Sequence, residues 1–366
     1  MPFCVKKCAY CDFYSIAGTC SGKRLEYTAA VVNHINMYHD KSLVFDSIYF
    51  GGGTPSLMSP QDLENILCAL KENFTITPDC EITLELNPET ADKNYLSELK
   101  WLGVNRLSFG VQSLNDDELK LMGRIHTAEK AVSSIQDAFN AGFDNVSCDI
   151  IFGVPFQEPK SIRNTLTELC RLPVAHISAY GLKVEPNTPF ARMELIFPDE
   201  DTEERMYFDI IDFLGLNGFE QYEISNFAKK GKHSRHNLKY WQGTEYLSFG
   251  PSASGYFKNR RYTYKKDIDA YISAIQNKKE PPVSESLTVS ENEKRQEKII
   301  FGLRLSKGIL LSEIDLSCYS LTKSPIISRL LNEDYIRCEN GFLRLTPKGF
   351  YISNGIINEI LELQKG

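Results

Sequence analysis

Val44-Phe45-Asp46-Ser47-Ile48-Tyr49-Phe50 is a short apolar run that passes straight into Gly51-Gly52-Gly53-Thr54-Pro55. Ser59-Pro60 follows, an N-cap residue with proline at the first helical position, and Leu63, Ile66, Leu67 and Leu70 then share one helical face. Strand, glycine turn and amphipathic helix in that order make one β/α unit. The alternation extends both ways. Upstream, Val31, Val32, Ile35 and Tyr38 mark a helix over 25–39; downstream, strands read at 80–86, 105–111, 145–152 and 176–183, with helices at 92–102, 128–141 and 160–171. Strands alternating with helices pair in parallel through right-handed crossovers, which predicts an α/β fold, a complete or partial β/α barrel.

Past Pro281-Pro282 the pattern changes. Residues 291–305 and 324–335 read as helical, 337–346 as a hairpin around Glu339-Asn340-Gly341, and 347–364 as helical again. That is the pattern of a compact winged-helix domain. The domain expectation is a barrel over 1–230, a connecting segment over 231–280 and a C-terminal domain over 281–366.

In a chain of 366 residues, 42% apolar and 24% charged content is that of an ordinary globular protein. A net charge of −7 argues against general nucleic-acid affinity. No stretch approaches the roughly 20 apolar residues that span a bilayer, and Cys and Lys crowd the first residues where a signal peptide would be apolar. Seven of the ten cysteines (Cys20, Cys68, Cys80, Cys148, Cys170, Cys318 and Cys338) are scattered, mostly in apolar runs. They read as buried free thiols, which points to a reducing, cytoplasmic location.

The other three cysteines crowd Cys4-Val5-Lys6-Lys7-Cys8-Ala9-Tyr10-Cys11 in a C-x3-C-x2-C pattern. An iron–sulfur cubane has four irons, so three local thiolates leave one iron open to a substrate or cofactor. Structural zinc is the competing reading; its missing half would come from His233 and His236. Ordinary buried cysteine explains a triplet poorly.

Gly51-Gly52-Gly53-Thr54-Pro55 lets backbone approach a ligand closely, although a plain tight turn is an equal reading. It is neither a Walker loop nor a dinucleotide-binding turn. Glu85 and Gln112 stand near the ends of successive strands, Arg124 and His126 follow, and Asp149 lies inside the apolar run Cys148–Gly153. Each alone fits a structural hydrogen bond as well as a ligand contact. Together at strand ends they predict a ligand site. His236-Asn237-Leu238-Lys239-Tyr240-Trp241 clusters an imidazole, a carboxamide, a phenol and one of only two tryptophans. Its residues alone read as a partly buried polar turn; haem ligation is the functional alternative.

Taken together these stretches resemble the radical S-adenosylmethionine (SAM) superfamily, whose signature is the Cys4–Cys8–Cys11 spacing with Tyr10 before the third cysteine. Within it the chain is similar to the group of oxygen-independent coproporphyrinogen III oxidases and haem chaperones. The resemblance runs through Gly51–Pro55, Asn87-Pro88, Gly110–Ser113, Gly123–Thr127, Asp149–Pro155, His176–Tyr180, Tyr222–Phe227 and Gly302–Leu305. The oxidases carry a further cysteine where this chain has Phe13; the chaperones carry H-N-x-x-Y-W, which His236–Trp241 matches. The chaperone branch is the closer one. Relatives lead in with a strand, Tyr-Ile-His-Ile-Pro-Phe-Cys, whereas this chain starts Met1-Pro2-Phe3-Cys4, so the first barrel strand is expected to be absent. Ser254 stands where relatives commonly place histidine.

The resemblance implies a partial (β/α)6 TIM-like barrel with a winged-helix-like C-terminal domain. It implies a [4Fe-4S] cluster on Cys4, Cys8 and Cys11, with SAM chelating the fourth iron. Tyr10, Gly52, Gly53, Thr54, Glu85, Gln112, Arg124 and Asp149 would contact SAM, and His236, Asn237, Tyr240 and Trp241 would form the haem motif. Acidic groups suit the cofactor's sulfonium and amine, and Arg124 suits its carboxylate. The implied partners are haem, a haem-accepting protein (a respiratory one at the membrane surface), an electron donor if SAM is cleaved, and a second copy of the chain. Nucleic acid is not among them. The alternative activity is oxidative decarboxylation of coproporphyrinogen III or another radical reaction on a tetrapyrrole.

Overall fold

Seven strands form the central sheet, in the order β3 (Val44–Phe50), β4 (Thr75–Leu86), β5 (Arg106–Gln112), β6 (Val146–Phe152), β7 (His176–Gly181), β9 (Asn226–Ala228) and β8 (Glu220–Gln221). The first five are parallel; β9 pairs antiparallel with both β7 and β8. The sheet curls into a half-barrel. The structure, a computed structural model, describes residues 1–18, 21–314, 317 and 321–363. The strands β1 (Phe3–Cys4) and β2 (Ile16–Ala17) pair with each other in parallel and do not join the large sheet.

Seven helices connect and cover the barrel strands: α1 (Ser21–Asn36), α2 (Pro60–Asn73), α3 (Lys93–Trp101), α4 (Asp116–Leu121), α5 (Ala128–Asn140), α6 (Pro159–Arg171) and α7 (Glu200–Leu216). Ser59 caps α2 as expected: it accepts from the Asp62 N–H while Asp62 reaches back to the Ser59 N–H. Strand side chains alternate between two faces. Ile82, Leu84, Leu86, Leu107, Phe109, Val111, Cys148, Ile150 and Phe152 are buried in the main core. The opposite face is polar, and register brings its members side by side: Ser47 with Glu81, Glu85 with Ser108, and Asp149 with Ser178. A polar face turned inward by a curled sheet encloses a cavity.

Beyond the sheet come α8 (Arg235–Trp241), the strands β10 (Ser254–Phe257) and β11 (Arg260–Tyr264), and α9 (Ile268–Gln276), which packs against α1. His34 on α1 shares a hydrogen bond with the Tyr271 hydroxyl at 2.9 Å. The strand β12 (Val283–Thr288) completes an antiparallel sheet with β10 and β11, and the next helix is α10 (Glu291–Gly302). The winged-helix-like end has β13 (Ile309–Leu310), β14 (Ile336–Glu339) and β15 (Phe342–Leu345) in the order β13-β15-β14, with helices at Pro325–Asn332, Pro347–Tyr351 and Ser353–Leu363. Asn340 and Gly341 both have positive φ (52° and 78°), as a two-residue hairpin turn requires.

The expectation of buried free thiols holds for Cys80 and Cys148, while Cys170 is half-buried. It fails for Cys68, which is exposed, and for Cys338, which is disulfide-bonded. Cys20 and Cys318 lie outside the described residues.

Candidate functional site

Cys4 ends β1, and Cys8 and Cys11 follow on the loop after it, which folds across the C-terminal ends of the parallel strands. Main-chain bonds hold it in place: Cys11 N–H donates to the Cys8 carbonyl (3.3 Å), Ala9 N–H to Met122 (2.9 Å), and Phe190 N–H to Ala9 (3.0 Å). Gly53 is where the strand-end turn meets this loop. A Cβ added there would lie 2.7 Å from the Phe3 carbonyl oxygen and 3.1 Å from the Cys4 sulfur, so no side chain fits. Of the two readings of the glycine triplet, close backbone approach is the one the packing supports.

Two side chains reach the sulfurs. Thr54 Oγ1 donates to Cys4 Sγ and Arg124 Nη1 to Cys8 Sγ, each at 3.5 Å. Burial pushes the Cys11 thiol up. All three sulfurs open onto one cavity of about 390 Å³. Among the described residues no three His, Cys, Asp and Glu side chains converge as ligands of a single ion. The histidine pair that zinc would need is not assembled either: His233 stacks on Tyr222 (4.4 Å) and His236 on Tyr49 (5.0 Å). A four-iron cubane instead takes one thiolate per iron, so its ligands stand apart around it. The loop suits such a cluster, with the cavity beneath it.

That cavity is lined by Tyr10, Gly52, Gly53, Thr54, Glu85, Gln112, Arg124 and Asp149, so all eight expected cofactor residues meet there. Glu85 accepts from the Tyr49 hydroxyl at 2.8 Å and from Gly52 N–H at 3.1 Å. Burial lifts its carboxyl to about 7, against these two bonds. Asp149, also pushed up by burial, accepts from Ser108 Oγ at 3.1 and 3.3 Å. A raised carboxyl stays poised to release its proton when a cation arrives. Gln112 sits at φ 66°, after a register shift at the end of β5. Arg124 donates to the Gly110 carbonyl at 2.6 Å. His126 does not join them: it is buried, sharing a hydrogen bond with the Val111 carbonyl at 3.1 Å.

Adjacent members of the histidine motif face different surroundings. Ser234 caps α8 through the Asn237 N–H. The buried Glu81 carboxylate of β4 accepts the N–H groups of Arg235 (3.1 Å) and His236 (2.9 Å). Asn237 lines the cofactor cavity. His236 and Tyr240 line a second, aromatic-rich cavity of about 380 Å³ beside β3. His236 Nδ1 bonds Ser47 Oγ (3.0 Å) and Nε2 bonds the Tyr240 hydroxyl (2.9 Å). Burial drives its pKa down to about 4, leaving it neutral. Trp241 points elsewhere, edge-on to Phe301 (6.3 Å) with the Arg304 guanidinium over its ring (5.5 Å). The polar-turn reading is thus replaced by a capped helix wedged against the barrel.

Tyr49, Glu81, Arg106, Ser108 and Ser178 also face the barrel interior, and sequence reasoning passed over them. Their signal was available: Arg106, Ser108, Gly110 and Gln112 alternate with Leu107, Phe109 and Val111.

A curled parallel sheet with a three-cysteine loop over its strand ends defines a radical SAM core. Residues 1–169 match the sequence model of the Radical SAM superfamily. The heme chaperone HemW of Lactococcus lactis is 31% identical over 369 residues, covering 99% of this chain and 96% of that protein. Its Bacillus subtilis counterpart is 34% identical, covering 84% and 83%. A zebrafish (Danio rerio) mitochondrial radical S-adenosyl methionine domain-containing protein 1 is 30% identical, covering 98% and 85%. The chain belongs to the HemW heme chaperone family. Among solved structures, coproporphyrinogen III oxidase (HemN) from Escherichia coli superposes with a TM-score of 0.84 at 21% identity, covering 98% of this chain and 87% of that one, which establishes the shared fold.

Proposed function

We propose that this protein binds haem and delivers it to an acceptor haem protein, with a [4Fe-4S] cluster on Cys4, Cys8 and Cys11 and SAM in the adjoining cavity. The observation that carries this reading is the placement of the histidine motif: His236 is stacked on Tyr49, whose hydroxyl is bonded to Glu85 in the cofactor cavity. The names of the relatives supply the ligand. Phe13, exposed where the oxidases have cysteine, favours the chaperone over coproporphyrinogen oxidation.

When bound, the cluster supplies electrons to the cofactor's sulfonium. The chain's own residues do the rest. Thr54 and Arg124 donate to the Cys4 and Cys8 sulfurs, Gly52 and Gly53 would line the ligand's amine end, and Glu85 and Asp149 would offset its positive charge. His236 is held neutral, the form that ligates iron. His236 would hold the iron through one ring nitrogen, with Ser47 or Tyr240 orienting the ring through the other.

The barrel over 1–230 would hold the cofactors, the segment 231–280 the haem motif, and the region 281–366 would cover the barrel or meet the acceptor. Among the described residues no helix is long and apolar enough to cross a membrane. We assign the protein to the cytoplasm, with peripheral contact to a membrane-bound acceptor, an electron donor if SAM is cleaved, and self-association as accessory interactions.

Anaerobic reconstitution followed by iron, sulfide and haem quantitation tests the reading. Four irons, four sulfides and a haem complement lost in H236A are expected. Conversion of coproporphyrinogen III to protoporphyrinogen IX, or zinc without sulfide, overturns it.

A further inference from the structure

Arg106 opens β5 on its cavity-facing side and is 1% exposed. It lines the cofactor cavity, yet its Nε has no hydrogen-bond partner, and among the described residues no carboxylate closes an ion pair on it. Of the carboxylates around it, Asp149 attracts it electrostatically, and none is hydrogen-bonded to it. Glu81 holds the N–H groups of Arg235 and His236, Glu85 holds Tyr49 and Gly52, and Asp149 is bonded to Ser108. A buried guanidinium nitrogen without an acceptor is costly, and folded proteins retain few such groups without a reason. Five donors in a planar fork match one carboxylate.

Arg124 cannot be the same subsite. It stands after the C-terminal end of β5, bonded to Gly110 and Cys8 beside the cysteine loop, whereas Arg106 starts the strand. The cavity therefore offers one guanidinium by the cluster loop and another on its floor. The hydroxyls of Ser108 and Ser178 line the same space.

We propose that Arg106 receives a carboxylate of a ligand bound in the barrel lumen. This deepens the functional reading above and rests on it. Two sources share the chemistry: a propionate of the tetrapyrrole, or the amino-acid carboxylate of the adenosyl cofactor, which would then lie at Arg106 rather than at Arg124 and the open iron.

The reconstituted full-length protein and its Arg106→Met variant are titrated with haemin and haemin dimethyl ester, then with SAM and its decarboxylated analogue. Wild type is expected to prefer one acid over its neutral partner by roughly tenfold or more, and R106M to lose that preference while keeping the neutral ligand's affinity. Loss in the haemin pair assigns a propionate; loss in the SAM pair assigns the cofactor. Both support the inference. Preferences intact in R106M, or a large fall in its ligand-free melting temperature with preferences intact, overturns the proposal and makes Arg106 part of the fold. If R106M does not fold, Arg106→Lys keeps the charge without the fork and should weaken the acid by the same comparison; unchanged preferences there overturn the proposal too. Wild type that binds neither haemin nor its ester sinks the haem reading, while the SAM pair still tests Arg106.

Discussion

Tyr49 and His236 lie nearly parallel, ring centroids 5.0 Å apart and 28° between planes. They come from strand β3 and helix α8, almost 190 residues apart in the chain, and the contact joins the linings of the two cavities. On one side Tyr49 reaches Glu85, whose other oxygen accepts from Gly52. On the other, His236 reaches Tyr240. An aromatic pair of this kind contributes about 1 kcal/mol beyond its buried area.

Removing only the hydroxyl should separate these roles. Y49F keeps the stack and is expected to bind haem as wild type does, measured by Soret titration. Its SAM affinity should fall by about fivefold, the effect of one lost hydrogen bond of about 1 kcal/mol. Equal SAM affinity in the two proteins contradicts the arrangement.

Glu81 is expected to matter more for the motif than its distance from any ligand suggests. E81A leaves two N–H groups at the start of α8 without a buried acceptor and should destabilise the protein by about 2–4 kcal/mol in denaturant titration. E81Q, retaining one acceptor oxygen, should recover part of both stability and haem binding. If E81A matches wild type in stability, the cap does not anchor α8.

Glu85 gives a pH signature. In the fold it holds its proton to about 7, against an ordinary 4.5. Between those values the folded state binds more protons than the unfolded one, so its contribution is complete below pH 4.5 and is lost as pH rises to 7. The stability difference between wild type and E85Q should change across that window by an amount on the order of 2 kcal/mol, discounted because the carboxylate faces the cavity. Glu223, also lifted to about 7 by burial, keeps its share of the slope in both proteins. A flat difference curve rejects the assignment.

Gln112 carries backbone strain at φ 66°. Q112G should be more stable than Q112A by about 1 kcal/mol, since glycine alone takes this conformation freely. Both should lose SAM affinity alike. Equal melting temperatures would place the strain elsewhere.

Much of this was open to reading from the chain. The capped helix after Ser59-Pro60, the parallel alternation and the polar residues gathered at strand ends follow from periodicity and turn chemistry, which are local. Less local features were hidden. The strands β8 and β9, two and three residues long, are too short to show a period, and α4 has only six residues. The histidine motif looked like a turn because its partners, Ser47, Tyr49 and Glu81, lie on strands far upstream. Arg106 was passed over because one charge in an apolar strand looks like an edge, until register shows that its face is the lumen. Cys338 illustrates the reverse error: an apolar neighbourhood gives no notice of a disulfide.

One helix of seven residues has its histidine on one chamber and its asparagine on the other. It is a party wall. Any displacement of this helix shifts the lining of both rooms together.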